Sequence, residues 1–384
     1  MDKKYQEIVE FTKELVQIKS QGEIDGERNI ARAIFDKLAG FGFSPKLIGD
    51  EQRPSIICEI NKNKNSGKKI WLESCLDTVP VGDISKWDFP PFEGRIVANK
   101  MFGRGVADAK IGIALFVYLA KELNEDGNFN GSIFLGFDSD EQSGNFAGIR
   151  EVIKKAPKAD VCILGYQDND AISIGSRGDL RIKITTFGKS GHTGSRKQNG
   201  INAIHSMGRV ITQITAMKIE TAKEPFFEFG SALNFAQISG GIAINVVPDK
   251  CEANVDIRLI PSQNKAKVLS QIENELGKIK ENDGLLDYKI EIMQSYEPYL
   301  TNPRNEFVKI LQKTANEILN KDIPLIASGQ RSVGNIISKL GIPVINAFGC
   351  GGGNVHAPNE WIDIDTIPQV FEIYKKSIIE YCKK

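Results

Sequence analysis

Four short segments of the sequence set carboxylates, a histidine or a thiol among glycines and other small residues. They are SCLDTVP with Cys75 and Asp77, GRGVADAKIG with Asp108, DSDEQSG with Glu141 and Gln142, and NVHAPNE with His356. Small neighbours let reactive side chains converge, as a metal site or an acid–base pair requires. Carboxylate and imidazole are ordinary zinc ligands and general bases; a thiol is a soft ligand or, as thiolate, a nucleophile. Taken alone, Glu141 and Asp108 also read as solvated acids at strand ends, and Cys75 as a small buried residue. His205 falls within a helical pattern and reads as packing, and the glycines between Gly349 and Gly353 lack the lysine and the strand-to-helix context of a phosphate loop.

The elements that must position these segments are legible as apolar runs. PSIICEI, KIWLES, GSIFLGFD and DVCIL read as strands, and the stretches after Asp108 and after Asn145 read as helices between them. Two amphipathic helices precede them, with Ile8, Phe11, Leu15 and Val16 on one face of the first and Ile30, Ala33, Ile34 and Leu38 on one face of the second. This alternation predicts an α/β fold: a mixed, mostly parallel sheet covered by helices, open to ligands where strands end and loops begin.

From about Arg181 the texture changes to RIKITTFGKSGHTG, a helix near 201–217, SALNFAQISGG, KCEANVDIRLIP and a helix from Lys265, a small α+β layer. The chain then returns to helix and short strands, with a final helix after Asp365. A single core stops growing near roughly 250–300 residues, and this chain has 384. The expected organisation is a catalytic domain of residues 1–179 and 298–384, with residues 180–297 inserted as a smaller lid and dimerisation domain.

Composition narrows the partners. With 49 basic and 49 acidic side chains the chain lacks the footprint of a nucleic-acid binder. No apolar run reaches membrane-spanning length, and MDKKYQEIVEFTKELVQIKS lacks the apolar stretch of a signal peptide, so a soluble, cytoplasmic protein is expected. Six cysteines without CxxC spacing are expected to be reduced thiols.

In order, these motifs resemble the zinc hydrolases that include acetylornithine deacetylase, succinyl-diaminopimelate desuccinylase, aminoacylase and carboxypeptidase G. The resemblance covers nearly the whole chain: CLDTVP matches His-x-Asp-Thr-Val-Pro, GRGVADAK matches Gly-Arg-Gly-x-x-Asp-x-Lys, and WDFPPFEG, INVVPDKCEANVDIRLIP and HAPNEWI follow the same pattern. It implies two zinc ions bridged by Asp108, the first completed by the positions of Cys75 and Tyr166 and the second by Gln142 and His356. Three of these positions depart from the family: Cys75 for histidine, Gln142 for glutamate and Tyr166 for an acid. The expectation is therefore at most one zinc, on Cys75, Asp108 and His356 with Asp168 as a substitute for Tyr166, or no metal.

The same resemblance makes Glu141 the general base, Asp77 the residue that orients the first ligand, and His192 the stabiliser of the oxyanion, commonly across a homodimer formed through the inserted domain. It makes Asn245 and Arg258 contacts for a substrate carboxylate. The implied activity is hydrolysis of the amide bond of an N-acyl amino acid or small peptide bearing a free carboxylate. The alternative is a catalytically impaired or metal-free relative that binds a carboxylate ligand or a partner subunit. Acyl transfer on the Cys75 thiol is a third route.

Overall fold

The computed structural model describes residues 2–61, 67–196, 199–217, 219 and 224–383. The chain forms two compact units, one of Met1–Gly175, Thr301–Ile326 and Ser332–Lys384, the other of Ser176–Leu300 and Ala327–Arg331.

In the first unit the opening helix, Lys3–Gln17, begins where the Asp2 side chain accepts from the Lys4 amide at 3.3 Å, satisfying one of the amides a helix start leaves open. It buries Ile8, Phe11, Leu15 and Val16. The next helix, Arg28–Gly40, buries Ile30, Ala31, Ile34 and Leu38. Ala31, three residues before Ile34, completes that stripe, and Ala33 turns to its rim.

The central sheet has six strands in the order Lys46–Gly49, Pro54–Asn61, Gly131–Asp138, Lys68–Cys75, Val161–Leu164, Val344–Ile345. Its last three ladders are parallel, and Pro54–Asn61 runs antiparallel to both neighbours. The strands Lys68–Cys75 and Gly131–Asp138 lie side by side and end together, with Cys75 opposite Asp138. Both are covered by the helix Ile111–Glu125, which is buried from Ile111 to Ala120 because the sheet lies on one side and the helices Lys3–Gln17 and Ile367–Cys382 on the other. Each large apolar side chain fixed there contributes about 1.5–3 kcal/mol.

A second, antiparallel sheet of Gly352–Gly353, Trp361–Asp363, Lys100–Phe102 and Arg95–Val97 sets the site's geometry. Residues 354–360 cross between its first two strands, and Lys100–Phe102 runs directly into the Gly103–Asp108 loop. Pairing these strands therefore brings the His356 segment to the Asp108 loop.

The second unit is a four-stranded antiparallel sheet in the order Ala232–Gly240, Lys250–Leu259, Gly178–Phe187, Asp287–Tyr296. The helices Ala203–Ala216 and Lys265–Asp283 close over a core that includes Leu180, Ile182, Met207, Val255, Ile257 and Ile272. Burial alternates residue by residue along Lys250–Leu259, the period of a strand with one face covered. No helix among the described residues is long and apolar enough to cross a membrane.

Candidate active site

The site lies where the central strands end. Just beyond Cys75, Asp77 is fully buried, and its carboxylate oxygens accept from the backbone amides of Glu141 at 3.0 Å and Gln142 at 2.8 Å. One carboxylate thus ties the loop after Lys68–Cys75 to the loop after Gly131–Asp138. Burial pushes the Asp77 carboxyl up to about 8, against the pull of those two donors. From behind, Arg53 forks onto the buried Glu27 and lies 2.8 Å from Asp140, the residue before Glu141.

Asp108 is delivered by an irregular loop that precedes the expected helix. The turn Val106–Lys110 contains extended backbone at Asp108, with φ −123° and ψ 87°, and the helix starts only at Ile111. Gly105 makes the loop possible: its φ is +79°, and an added Cβ would come within 2.3 Å of Thr78. The loop is gripped by Glu360, whose carboxylate accepts from Arg104 at 2.7 Å and from the amides of Gly105, Ala107 and Asp108 at 3.0, 2.9 and 3.1 Å.

Around Asp108 the reactive side chains gather. His356 places Nε2 2.8 Å from Asp108 Oδ2, and that bond holds the imidazole above its ordinary pKa. Cys75 Sγ lies 3.9 Å from the other oxygen, Oδ1, and 3.8 Å from the Gln142 side-chain amide. Burial, followed by the charges of Glu141 and Asp108, pushes the Cys75 thiol well up, so the sulfur is held as a thiol and not as a nucleophilic thiolate. Glu141 accepts a hydrogen bond from the Tyr166 hydroxyl, and burial raises its carboxyl to about 7. The Asp168 carboxylate accepts from the Asp170 amide at 2.9 Å.

The remaining sequence candidates belong to the second unit. His192 and Asn245 meet there: His192 bridges to Val246, its Nδ1 accepts from the Gly194 amide at 3.0 Å, and the Asn245 carbonyl accepts from the Thr193 amide at 3.2 Å. Arg258 forks onto Asp256 at 2.8 and 3.3 Å. His205 is exposed at the start of the helix Ala203–Ala216. Glu360 and Arg53 were not singled out by sequence; Glu360 stands in HAPNEWI, but its role needs the fold to appear.

A buried glutamate beside a histidine–aspartate pair, at the carboxyl edge of a helix-covered sheet, is an arrangement that can serve acid–base hydrolysis. Residues 72–380 match the profile of peptidase family M20/M25/M40, and the chain belongs to that family. It is 29% identical over 327 residues to the succinyl-diaminopimelate desuccinylase of Ehrlichia canis, covering 83% of each chain. It is 30% identical over 346 residues to an uncharacterized metallohydrolase of Methanocaldococcus jannaschii, covering 84% of this chain and 83% of that one. Among solved structures, a tripeptidase from Staphylococcus aureus matches with a TM-score of 0.79 at 22% identity, and an M20 family metallo-carboxypeptidase from Sulfolobus solfataricus with 0.76 at 21%; each comparison covers 99% of both chains.

The enzymes of this family are metal-dependent, yet the donor set here does not fit the metal centre that the family implies. Catalytic zinc takes three protein ligands. In this site each Asp108 oxygen has one such neighbour, the Cys75 thiol at Oδ1 and the His356 imidazole at Oδ2. Among the described residues no three His, Cys, Asp or Glu side chains converge to hold an ion. The positions that would complete the two sets carry a neutral amide, Gln142, and a phenol, Tyr166, that is hydrogen-bonded to Glu141.

Proposed function

We propose that the protein hydrolyses the amide bond of an N-acyl amino acid or small peptide bearing a free carboxylate, with its metal content reduced to at most one weakly held zinc ion. Glu141 carries this reading. It is nearly buried, faces Asp108, and is fixed through its own amide by Asp77. A carboxylate so placed takes a proton from water as the water attacks the carbonyl carbon, then passes it to the departing amine nitrogen. Access is from the side of His356, whose side chain is 47% exposed, whereas Cys75 and Asp77 are sealed beneath. The relatives named above as a desuccinylase, a tripeptidase and a carboxypeptidase all act on substrates of this chemical kind.

We read the protein as cytoplasmic and as a homodimer assembled through its second unit. Ala232–Gly240 is an edge strand of that unit's sheet and exposes Ile238, a surface suited to strand pairing with a second copy. In the same unit, His192, Asn245 and Arg258 are the groups suited to the substrate's oxyanion and carboxylate.

The test is amine release from a panel of N-acetyl and N-succinyl amino acids and dipeptides, with zinc per chain measured by elemental mass spectrometry and mass in solution by light scattering. Turnover with at most one zinc per dimer-forming chain supports the reading. Tight binding of panel members without amine release would favour the alternative, a relative that only binds its carboxylate ligand, for which the Tyr166 bond to Glu141 speaks.

A further inference from the structure

We propose that Arg181 is a specificity-determining residue: with Arg258 it forms a paired-guanidinium site, so that the preferred substrates are N-acyl amino acids whose own side chain carries a second carboxylate. This rests on the hydrolase reading above and names its substrate class.

Strand register sets the pairing. Gly178–Phe187 and Lys250–Leu259 run antiparallel, with Arg181 opposite Asp256 and Asp179 opposite Arg258. These four side chains share one face of the sheet, because Leu180 and Ile257, which alternate with them, are buried in the helix-covered core on the other. Arg181 and Arg258 are therefore diagonal neighbours, and they share one carboxylate. Asp256 accepts from Arg258 Nε at 2.8 Å, and its Oδ2 accepts from both Arg258 Nη2 and Arg181 Nε at 3.3 Å.

Charge does not balance in this group. Its other carboxylate, Asp179, is fully buried and lies 3.6 Å from Arg181 and 3.4 Å from Arg331. Arg177 brings a fourth guanidinium, so four arginines meet two aspartates. Burial depresses the pKa of both Arg177 and Arg331, and the charge of Arg258 adds to the effect in each. Arginine stays protonated even so. The crowding is a standing repulsion that a bound anion relieves, and one carboxylate per arginine would hold the strands together without it.

Arg181 and Arg258 are the two placed to receive that anion. Their side chains are 41% and 28% exposed, against 11% for Arg331. Among the described residues, Nη1 of Arg258 and both terminal nitrogens of Arg181 donate no hydrogen bond. Since both heads converge on Asp256, they are spaced for two carboxylates a few bonds apart, as on glutamate or aspartate. Arg258 takes the carboxylate already assigned to it, and Arg181 takes the second. A neutral side chain leaves the Arg181 charge without its anion.

The experiment measures turnover of N-acyl-glutamate and N-acyl-glutamine, both with the acyl group that the panel favours, by wild type, Arg181→Met and Lys183→Met. The two substrates differ only in a carboxylate against a neutral amide. Wild type is expected to favour the glutamate substrate by about 10-fold or more in kcat/KM, the worth of a charged hydrogen bond, with the difference in KM. Arg181→Met should bring that ratio close to one. Lys183→Met removes a charge two positions along the same strand and should keep the wild-type ratio. A wild-type ratio near one, or a ratio unmoved in Arg181→Met, overturns the inference while the hydrolase reading stands. A collapse of the ratio in Lys183→Met as large as in Arg181→Met assigns the preference to the general field of the sheet and overturns the role of Arg181. An absence of turnover of every panel member sinks the hydrolase reading itself and the inference with it.

Discussion

Replacing Glu360 by glutamine tests how the site is assembled. The Glu360 side chain and that of Arg104 are each 1% exposed and meet at 2.7 Å. Both carboxylate oxygens are in use: Oε2 accepts from Arg104 and Gly105, Oε1 from Ala107 and Asp108. In Glu360→Gln one oxygen becomes an NH2 donor, so one of those pairs of donors loses its acceptor. The Arg104 charge is then left buried beside a neutral amide. Breaking a buried ion pair by removing one partner costs about 3–5 kcal/mol. In urea unfolding followed by circular dichroism, the midpoint should fall by the equivalent amount at unchanged slope. Adding Arg104→Met should recover part of the loss, since it removes the orphaned charge. Glu372→Gln is the control: Glu372 pairs with Lys4 while 33% exposed, and its loss should cost less than about 1 kcal/mol. A loss of that small size for Glu360→Gln would refute the view that this carboxylate holds the Asp108 loop.

Other expectations follow from the same network. Asp77→Asn turns one of the acceptors facing the Glu141 and Gln142 amides into a donor, and kcat should fall by about 10- to 100-fold; an unchanged kcat would show that the loop keeps its place without it. Glu73 is fully buried, and burial lifts its carboxyl from 4.5 to about 8. The folded protein keeps that proton where the unfolded chain has lost it, so stability falls as pH rises from about 4.5 towards 8. In Glu73→Gln the thermal midpoint should vary less across this window and exceed that of the wild type at its upper end; identical pH profiles would contradict this. Combining Cys75→His, Gln142→Glu and Tyr166→Glu should raise zinc affinity, measured by calorimetry, by about 100-fold or more, and an unaltered affinity would show that these positions do not surround a metal.

Much of the site was legible because its residues lie in loops that directly follow apolar strands. Cys75 ends one, and Asp77, Glu141 and Gln142 sit just beyond one or the other, of two strands whose runs are plain in the sequence, and parallel pairing carries them to one edge. Asp108 was legible as a site residue ahead of a helix, which begins at Ile111, but the irregular backbone that presents it was not. The sheet that unites Asp108 with His356 was not legible: its strands are two or three residues long, too short to show a period. Nor was the grip of Glu360 on Arg104, which spans 256 positions of sequence. The bond from Tyr166 to Glu141 was hidden for a related reason, because the resemblance assigns Tyr166 a ligand's position and only the fold shows where its hydroxyl ends.

The most direct measurement is amine release by Glu141→Gln beside the wild type, on the substrate of the panel that the wild type turns over best. A positioned general base contributes about 100- to 10,000-fold. The account predicts a loss of kcat in that range, with the folded state and substrate binding retained. A Glu141→Gln protein as fast as the wild type, or a wild type that releases no amine from any acyl amino acid or peptide, would contradict it.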